Sequence, residues 1–215
     1  MVADGRPYGL PRPELSSRST ASTVRPPPSS WASFAASRRL RCAYRGWSTG
    51  TDRFGEAAGK TASLLAAACA LGALAARAEA ERVDALRQFG RHLGLAFQLV
   101  DDLLGIWGDT AVTGKPVGSD LRSRKKSLPV VAALAGGTSA GDRLAALYHR
   151  TEPLGDGEIR TAARLIEEAG GRRWAQEEAE RQRTAAVTRL ATAGVIPEGT
   201  RALTALADLS TRRDV

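Results

Sequence analysis

The sequence predicts an all-α fold, and three observations point to it. From about Phe54 onward, apolar residues recur in segment after segment at the spacing of an amphipathic helix. Clusters of glycine and proline separate these segments at intervals that suit helix connections. No segment alternates apolar and polar residues as a half-buried β-strand would. We therefore expect the chain of 215 residues to hold a helical domain over residues 54–215.

Residues 1–53 differ from the rest of the chain in composition. Residues 1–50 contain eight arginines and only two acidic residues, and they show no sustained helical or strand period. We expect an irregular or disordered tail rich in Arg, Ser and Pro. This tail carries most of the formal net charge of +8, so the helical part is nearly neutral. The basic balance therefore gives no argument for nucleic-acid binding.

Residues 62–76 form the longest apolar run of the sequence. The run contains Ser63 and Gly72 and is shorter than the ~18–20 residues that a membrane span requires. We expect a buried core helix there and no membrane span. The two cysteines, Cys42 and Cys69, form neither a disulfide framework nor a metal-binding spacing. A reducing cytoplasm is the expected location.

The next helix is predicted to begin at Ala80 and to continue through an apolar stripe into residues 94–109. His92 lies beside that stripe and is expected to be a packed or solvated histidine rather than a metal ligand. Gly and Pro end the helix in residues 110–119, and Asp120 is expected to cap the next helix. The charged segment 172–189 is predicted to face solvent. Further helices are predicted over residues 129–135, 140–150, 157–170, 172–193 and 199–212.

Asp101 and Asp102 stand side by side in an otherwise apolar helical stretch. Gln98 and Asp102 are one turn apart on one face, and Asp101 lies beside them over Gly105. A buried carboxylate is unfavourable unless it is paired or binds a metal. Two interpretations remain open, an ion pair with a nearby Arg or Lys and a Mg²⁺ site that also takes phosphate oxygens.

A run of cations follows the acidic stretch and contains Arg122, Arg124, Lys125 and Lys126, with Lys115 just upstream in a Gly/Pro loop. Such a run is usually a solvated face. Beside an acidic notch it also suits a diphosphate site, because metal and lysine together must offset several negative charges.

Four elements in this order strongly resemble the C-terminal half of trans-isoprenyl diphosphate synthases, the polyprenyl synthetase family. The resemblance covers roughly residues 58–212. It implies a partial helical bundle of the isoprenoid synthase type around a deep cavity, Mg²⁺ as cofactor, and a possible homodimer. The elements are Lys60-Thr61, Gly94-x-x-Phe97-Gln98-x-x-Asp101-Asp102, Gly114-Lys115, and Asp120-x-x-x-x-Lys125-Lys126-Ser127-Leu128-Pro129.

The reaction that the resemblance implies is a prenyl transfer of the farnesyl or geranylgeranyl type. An allylic prenyl diphosphate condenses with isopentenyl diphosphate in isoprenoid biosynthesis. By the same resemblance Asp101 and Asp102 bind the metal. The remaining site residues contact the allylic diphosphate (Lys60, Lys115 and Lys125), line the cavity near the developing cation (Thr61 and Gln98), or shape its wall (Phe97).

The sequence departs from the family pattern at two places. Gly105 occupies the position of a third Asp, and Asp109 is either a water-mediated substitute or an ordinary loop acid. Residues 1–59 contain no first aspartate-rich motif. We expect a truncated or frame-disrupted synthase, or a short subunit whose partner supplies that motif. The alternative is a non-catalytic helical subunit that binds diphosphate or a partner synthase.

Overall fold

The computed structural model describes residues 58–114 and 116–211. Every regular element in these two ranges is helical, which confirms the predicted all-α fold. The predicted tail over residues 1–53 lies outside the described residues. The elements are a π-helical turn (Ala58–Ala62) and helices α1 (Ser63–Ala75), α2 (Ala80–Trp107), α3 (Thr110–Thr113), α4 (Ser119–Arg122), α5 (Leu128–Ala135), α6 (Ser139–His149), α7 (Asp156–Glu168), α8 (Gly171–Thr192) and α9 (Pro197–Thr211).

The long helix α2 is the axis of the fold, because α1, α5, α8 and α9 all pack against it. The π-helical turn and helix α1 approach it closely at two glycines of α2. A Cβ atom on Gly94 would lie 2.5 Å from the Cα atom of Ala62, and one on Gly90 would lie 2.9 Å from Cys69 Sγ. Only glycine permits this approach. The contact fixes the π-helical turn and α1 against the middle of α2.

Helix α8 was expected to be a solvent-facing member of the bundle, and most of its charged residues are indeed exposed while its other face is buried. Its small apolar residues pack into the core against α2, and two polar residues, Glu178 and Gln182, are buried with them. His92 Nδ1 donates to Gln182 Oε1 over 2.7 Å, and Gln182 Nε2 donates to Glu178 Oε1 over 2.7 Å. His92 is therefore a packed residue, as expected, in a polar network between α2 and α8.

Helix α5 is buried along its whole length. It contacts α2, α6, α7 and α8, and Pro129 stands in its first turn, where a missing backbone N–H is harmless. The run of cations precedes this helix directly. The core thus anchors the segment that carries Lys125.

The apolar run over residues 62–76 was expected to be a buried core helix, and this prediction was wrong for one side of α1. Three leucines lie on that exposed side, with exposed fractions of 72% for Leu64, 65% for Leu71 and 55% for Leu74. The buried side of the helix presents small residues, Ala66, Ala70 and Ala73, to α2. None of the helices described combines the length and the apolar character that a bilayer crossing requires.

Candidate functional site

Asp102 is the buried centre of the candidate site, with only 3% of its surface exposed. Its Oδ1 atom accepts from Gln98 Nε2 at 3.1 Å and from Lys125 Nζ at 3.0 Å. Its Oδ2 atom accepts from the backbone N–H of Leu128, the first residue of α5, at 2.9 Å. Burial raises the pKa of the Asp102 carboxyl, and the three donors oppose that rise. One carboxylate thus joins α2, α5 and the segment that precedes α5.

Asp101 is exposed, although the sequence pattern placed it beside Asp102 over Gly105. Consecutive residues of a helix point about 100° apart, so one member of the pair turns inward and the other outward. The two carboxylates therefore differ in environment. Asp102 binds protein donors, whereas Asp101 presents its oxygens to solvent.

Lys125 connects Asp102 to a third carboxylate. Its Nζ atom donates to Asp120 Oδ2 at 2.8 Å as well as to Asp102 Oδ1, and 44% of its side chain is exposed. Burial alone would lower the pKa of Lys125, but the carboxylates of Asp120 and Asp102 outweigh this effect and raise it. The ammonium group therefore stays charged at neutral pH, at the boundary between the interior and solvent.

Asp120 was expected to cap a helix, and the structure shows that this expectation was wrong. The N-cap of α4 is Gly118, and the Asp120 carboxylate turns toward Lys125 and packs against Gly105 of α2. Sequence reasoning missed Asp120 as a site residue. The signal in the sequence was Gly105 itself, since a glycine inside an apolar helix indicates the close approach of another group.

Thr61 and Gln98 extend the network toward α1. Thr61 Oγ1 donates to Gln98 Oε1 at 3.0 Å, and Gln98 Nε2 then donates to Asp102. The structure therefore brings together four predicted residues, Thr61, Gln98, Asp102 and Lys125, in one hydrogen-bonded series.

The other predicted residues occupy three different settings. Lys60 lies next to Thr61 on the π-helical turn and is exposed. Phe97 is partly buried on α2 beside Gln98. Lys115 lies outside the described residues.

The arginines in the run of cations turn away from the carboxylates of Asp102 and Asp120. Arg122 Nη2 donates to Asp156 Oδ1 at 2.8 Å, and the Arg124 guanidinium donates to the carbonyl oxygens of Arg150 and Glu152. Arg122 thus binds the first residue of α7, and Arg124 binds the segment between α6 and α7. Lys125 differs from them in facing α2.

Asp109 is exposed and caps α3, because its carboxylate accepts from the N–H of Ala111 at 2.9 Å. This geometry is that of an N-terminal helix cap.

The donor set of this region suits a hard cation shared with a phosphate ligand. Magnesium takes few protein carboxylates and completes its shell with water and phosphate oxygens. Asp101 offers an exposed carboxylate. The ammonium of Lys125 binds Asp102, which is the next residue of α2. In the part of the chain that the structure describes, no three Asp, Glu, His or Cys side chains converge into a metal cage. Asp101 would therefore be the exposed carboxylate available to a magnesium ion here, with Lys125 beside it for a phosphate oxygen.

The sequence model of the polyprenyl synthetase family matches residues 55–166. Over 142 residues the chain is 55% identical to the (2E,6E)-farnesyl diphosphate synthase of Mycobacterium tuberculosis. The aligned segment covers 65% of this chain and 40% of that protein. Over 158 residues it is 49% identical to a geranylgeranyl diphosphate synthase of the same species, with 74% and 44% covered.

A solved structure of a polyprenyl synthetase from Streptomyces coelicolor is similar to the fold, with a TM-score of 0.72 and 46% sequence identity. The match covers 77% of this chain and 51% of that one. The chain thus spans 40–44% of the length of the two mycobacterial relatives.

Proposed function

This chain belongs to the polyprenyl synthetase family, and we propose that it forms one wall of a Mg²⁺-dependent prenyl transfer site. An allylic prenyl diphosphate condenses there with isopentenyl diphosphate. The observation that carries the proposal is the position of Lys125, whose ammonium lies between Asp102 and Asp120 at the edge of the interior. The names of the mycobacterial relatives, farnesyl and geranylgeranyl diphosphate synthase, support the same chemistry.

The proposed reaction breaks the bond between C1 of the allylic substrate and its diphosphate oxygen, and the bonding electrons leave with pyrophosphate. The double bond of isopentenyl diphosphate supplies the pair that forms the new carbon–carbon bond at C1. A proton then leaves the isopentenyl unit and restores a double bond, and the released pyrophosphate accepts that proton.

Three lysines of this chain, Lys60, Lys115 and Lys125, are proposed to contact the allylic diphosphate. Charged donors form strong hydrogen bonds to phosphate oxygens, and they offset the charge that develops on the leaving group. Lys125 is already oriented, because two carboxylates hold its ammonium from the protein side. Its remaining N–H bond is proposed to face the ligand.

Thr61 and Gln98 are proposed to lie near the developing carbocation, with Phe97 as part of the wall. Thr61 donates its hydroxyl proton to Gln98, so the lone pairs of Oγ1 remain for a cation. Gln98 is fixed in turn by its bond to Asp102. The network thus orients oxygen dipoles without a titratable base.

Asp101 is the residue that we propose to contact Mg²⁺ directly. The bound ion would neutralise the charge of the leaving pyrophosphate. Asp102 was assigned to the same metal by resemblance, and its three protein donors support a second task, that of holding Lys125 and Gln98 in place.

The proposal is tested by incubating the purified chain with Mg²⁺, labelled isopentenyl diphosphate and an allylic primer. A chain-extended product that requires Mg²⁺ would support the transfer function, and Asp101→Ala is then expected to abolish that product without loss of folding. The matched control is Asp84→Ala, which removes an exposed carboxylate from the same helix. Equal turnover by the Asp101→Ala variant would refute the metal assignment.

A second candidate function is diphosphate binding without turnover, in a subunit that works beside a partner synthase. The observation that favours it is that Asp101-Asp102 is the one Asp-Asp pair in the sequence. Mg²⁺-dependent binding of inorganic pyrophosphate by the chain, without extended product, would support this function over the first.

A further inference from the structure

The turn between α4 and Lys125 places an arginine in a backbone conformation that ordinarily favours glycine. Arg124 has a φ of +48°. Its N–H donates to the carbonyl of Leu121 at 2.9 Å, and the N–H of Lys125 donates to the carbonyl of Asp120 at 2.8 Å. These two bonds form a Schellman motif, in which the left-handed residue is usually glycine because it has no Cβ.

The motif joins Asp120 and Lys125 twice, through the backbone bond and through their side chains at 2.8 Å. The carbonyl of Lys125 also accepts from the hydroxyl of Tyr148 on α6 at 3.5 Å. The position of the Lys125 ammonium therefore depends on where this turn lies relative to α6 and the segment after it.

The side chain of Arg124 is what ties the turn to that segment. Its guanidinium donates to the carbonyl oxygens of Arg150 and Glu152, which follow the end of α6. A glycine at residue 124 would suit the backbone better and would provide no such bonds. The left-handed conformation of Arg124 thus coincides with two side-chain bonds that a glycine could not form.

We propose that Arg124 is a positioning residue, whose guanidinium fixes the turn and thereby holds the Lys125 ammonium between Asp102 and Asp120, ready for a diphosphate. Only the last clause rests on the proposed function. The tether itself is a property of the chain without ligand.

The chain contains a matched control in Arg77, at the C-terminal end of α1. Arg77 has a φ of +55°, its N–H donates to the carbonyl of Leu74 at 2.9 Å, and the N–H of Ala78 donates to that of Ala73 at 3.0 Å. This is the same motif with the same residue type. It lies at the opposite end of α1 from Thr61 and the site.

The first experiment measures the reactivity of Lys125 in the full chain without any ligand. Wild type, Arg124→Gly and Arg77→Gly are pulse-labelled with acetic anhydride, and acetylation of Lys125 is quantified by peptide mass spectrometry. Loss of two bonds from a charged donor is expected to raise Lys125 labelling about three- to tenfold in Arg124→Gly. Arg77→Gly loses the same charge and the same strain and is expected to label as wild type.

Equal labelling of Lys125 in the two glycine variants would overturn the proposal. Urea unfolding of both variants verifies that the native state is retained. Arg124→Asn is the second variant, because asparagine tolerates the left-handed conformation and lacks the guanidinium. It is expected to label like Arg124→Gly.

The second experiment measures binding of inorganic pyrophosphate with Mg²⁺ by calorimetry. Affinity is expected to fall about three- to tenfold in Arg124→Gly and to stay unchanged in Arg77→Gly. Equal affinity in wild type and Arg124→Gly would refute the positioning of Lys125 for a diphosphate. A wild-type chain that binds no pyrophosphate, together with the expected labelling contrast, would refute the proposed function and leave the tether established.

Discussion

The carboxylate of Asp120 occupies the space that a side chain on Gly105 would need. A Cβ atom at residue 105 would lie 2.5 Å from Asp120 Cγ and 2.9 Å from its Oδ1. Glycine inside a helix is ordinarily unfavourable by about 1 kcal/mol relative to alanine. Because Gly105 has no side chain, α4 can bring the Asp120 carboxylate against the surface of α2. That carboxylate also accepts from Lys125.

Replacement of Gly105 by alanine tests this close approach. The added methyl group must displace the Asp120 carboxylate and break its bond to Lys125, so the variant is expected to lose stability. Gly72→Ala is the matched control, because Gly72 is also helical and a Cβ there would meet nothing within 4 Å. By urea unfolding we expect Gly105→Ala to be about 2 kcal/mol less stable than Gly72→Ala. A similar gain of stability in both variants would contradict the close approach.

Replacement of Asp102 by asparagine tests the buried ion pair. The amide cannot accept all three bonds of the carboxylate, and Lys125 loses a charged partner. Because 44% of the Lys125 side chain is exposed, water compensates part of that loss, and we expect a decrease of about 2 kcal/mol in the free energy of unfolding.

A double-mutant cycle between Asp102→Asn and Lys125→Met isolates the energy of the pair. A coupling energy near zero would show that the two side chains do not stabilise each other. Asp84→Asn, an exposed change on the same helix, should leave stability nearly unchanged.

Gly94→Ala tests the contact between α2 and the π-helical turn. Its methyl group would lie 2.5 Å from the Cα atom of Ala62, a backbone atom that moves only with the whole turn. We expect a loss of about 2–4 kcal/mol and separation of Thr61 from Gln98. Gly59→Ala, in the same turn but facing open space, should keep the stability of the wild type. Equal unfolding midpoints for the two variants would refute this packing.

The lowered pKa of His92 predicts a pH dependence of the free energy of unfolding. Burial lowers its pKa below the ordinary value, with Arg189 and Arg91 acting in the same direction and the bond to Gln182 and the charge of Glu178 opposing it. The unfolded chain then binds a proton at a higher pH than the folded chain does. The contribution of His92 to the free energy of unfolding is complete above the unfolded pKa of about 6.5, and it is lost as the pH falls below that value.

The measurement for His92 is urea unfolding at pH 7.5 and pH 5.5. Wild type should lose stability between these values, and His92→Gln should lose less. Gly72→Ala, a change at an exposed position without a titratable group, should keep the wild-type dependence. An identical pH dependence in wild type and His92→Gln would exclude this histidine as the cause.

The longer helices and their approximate boundaries were predictable from the sequence because they depend on local patterns. The short helix α3 (Thr110–Thr113) was not, since residues 110–119 were expected to form a loop. Glycine and proline interrupt the apolar periodicity where the helices end, and α2 begins at Ala80, as predicted. The sequence also indicated that a buried carboxylate at Asp101 or Asp102 needs a partner, either an Arg or Lys or a metal ion. The structure gives Lys125 as a partner of Asp102.

Two features of the site depend on contacts between distant segments and could not be read from spacing. The inward turn of Asp102 and the outward turn of Asp101 follow from which face of α2 the other helices cover. The burial of Glu178 is compensated by Arg181 and Gln182 of the same helix, and Gln182 also contacts His92 of another helix. Charge content alone did not predict that Glu178 and Gln182 are buried.

The direction in which Thr61 points depends on the number of residues in the π-helical turn at Ala58–Ala62. Such a turn closes its hydrogen bonds one residue later than an α-helix does. Deleting one residue would let the α-helix continue and would rotate the preceding side chains about 100° around its axis. Thr61 would then face away from Gln98, which it contacts in the native structure. Insertions and deletions are therefore expected to be excluded at this point of the chain, even at positions where substitutions are accepted.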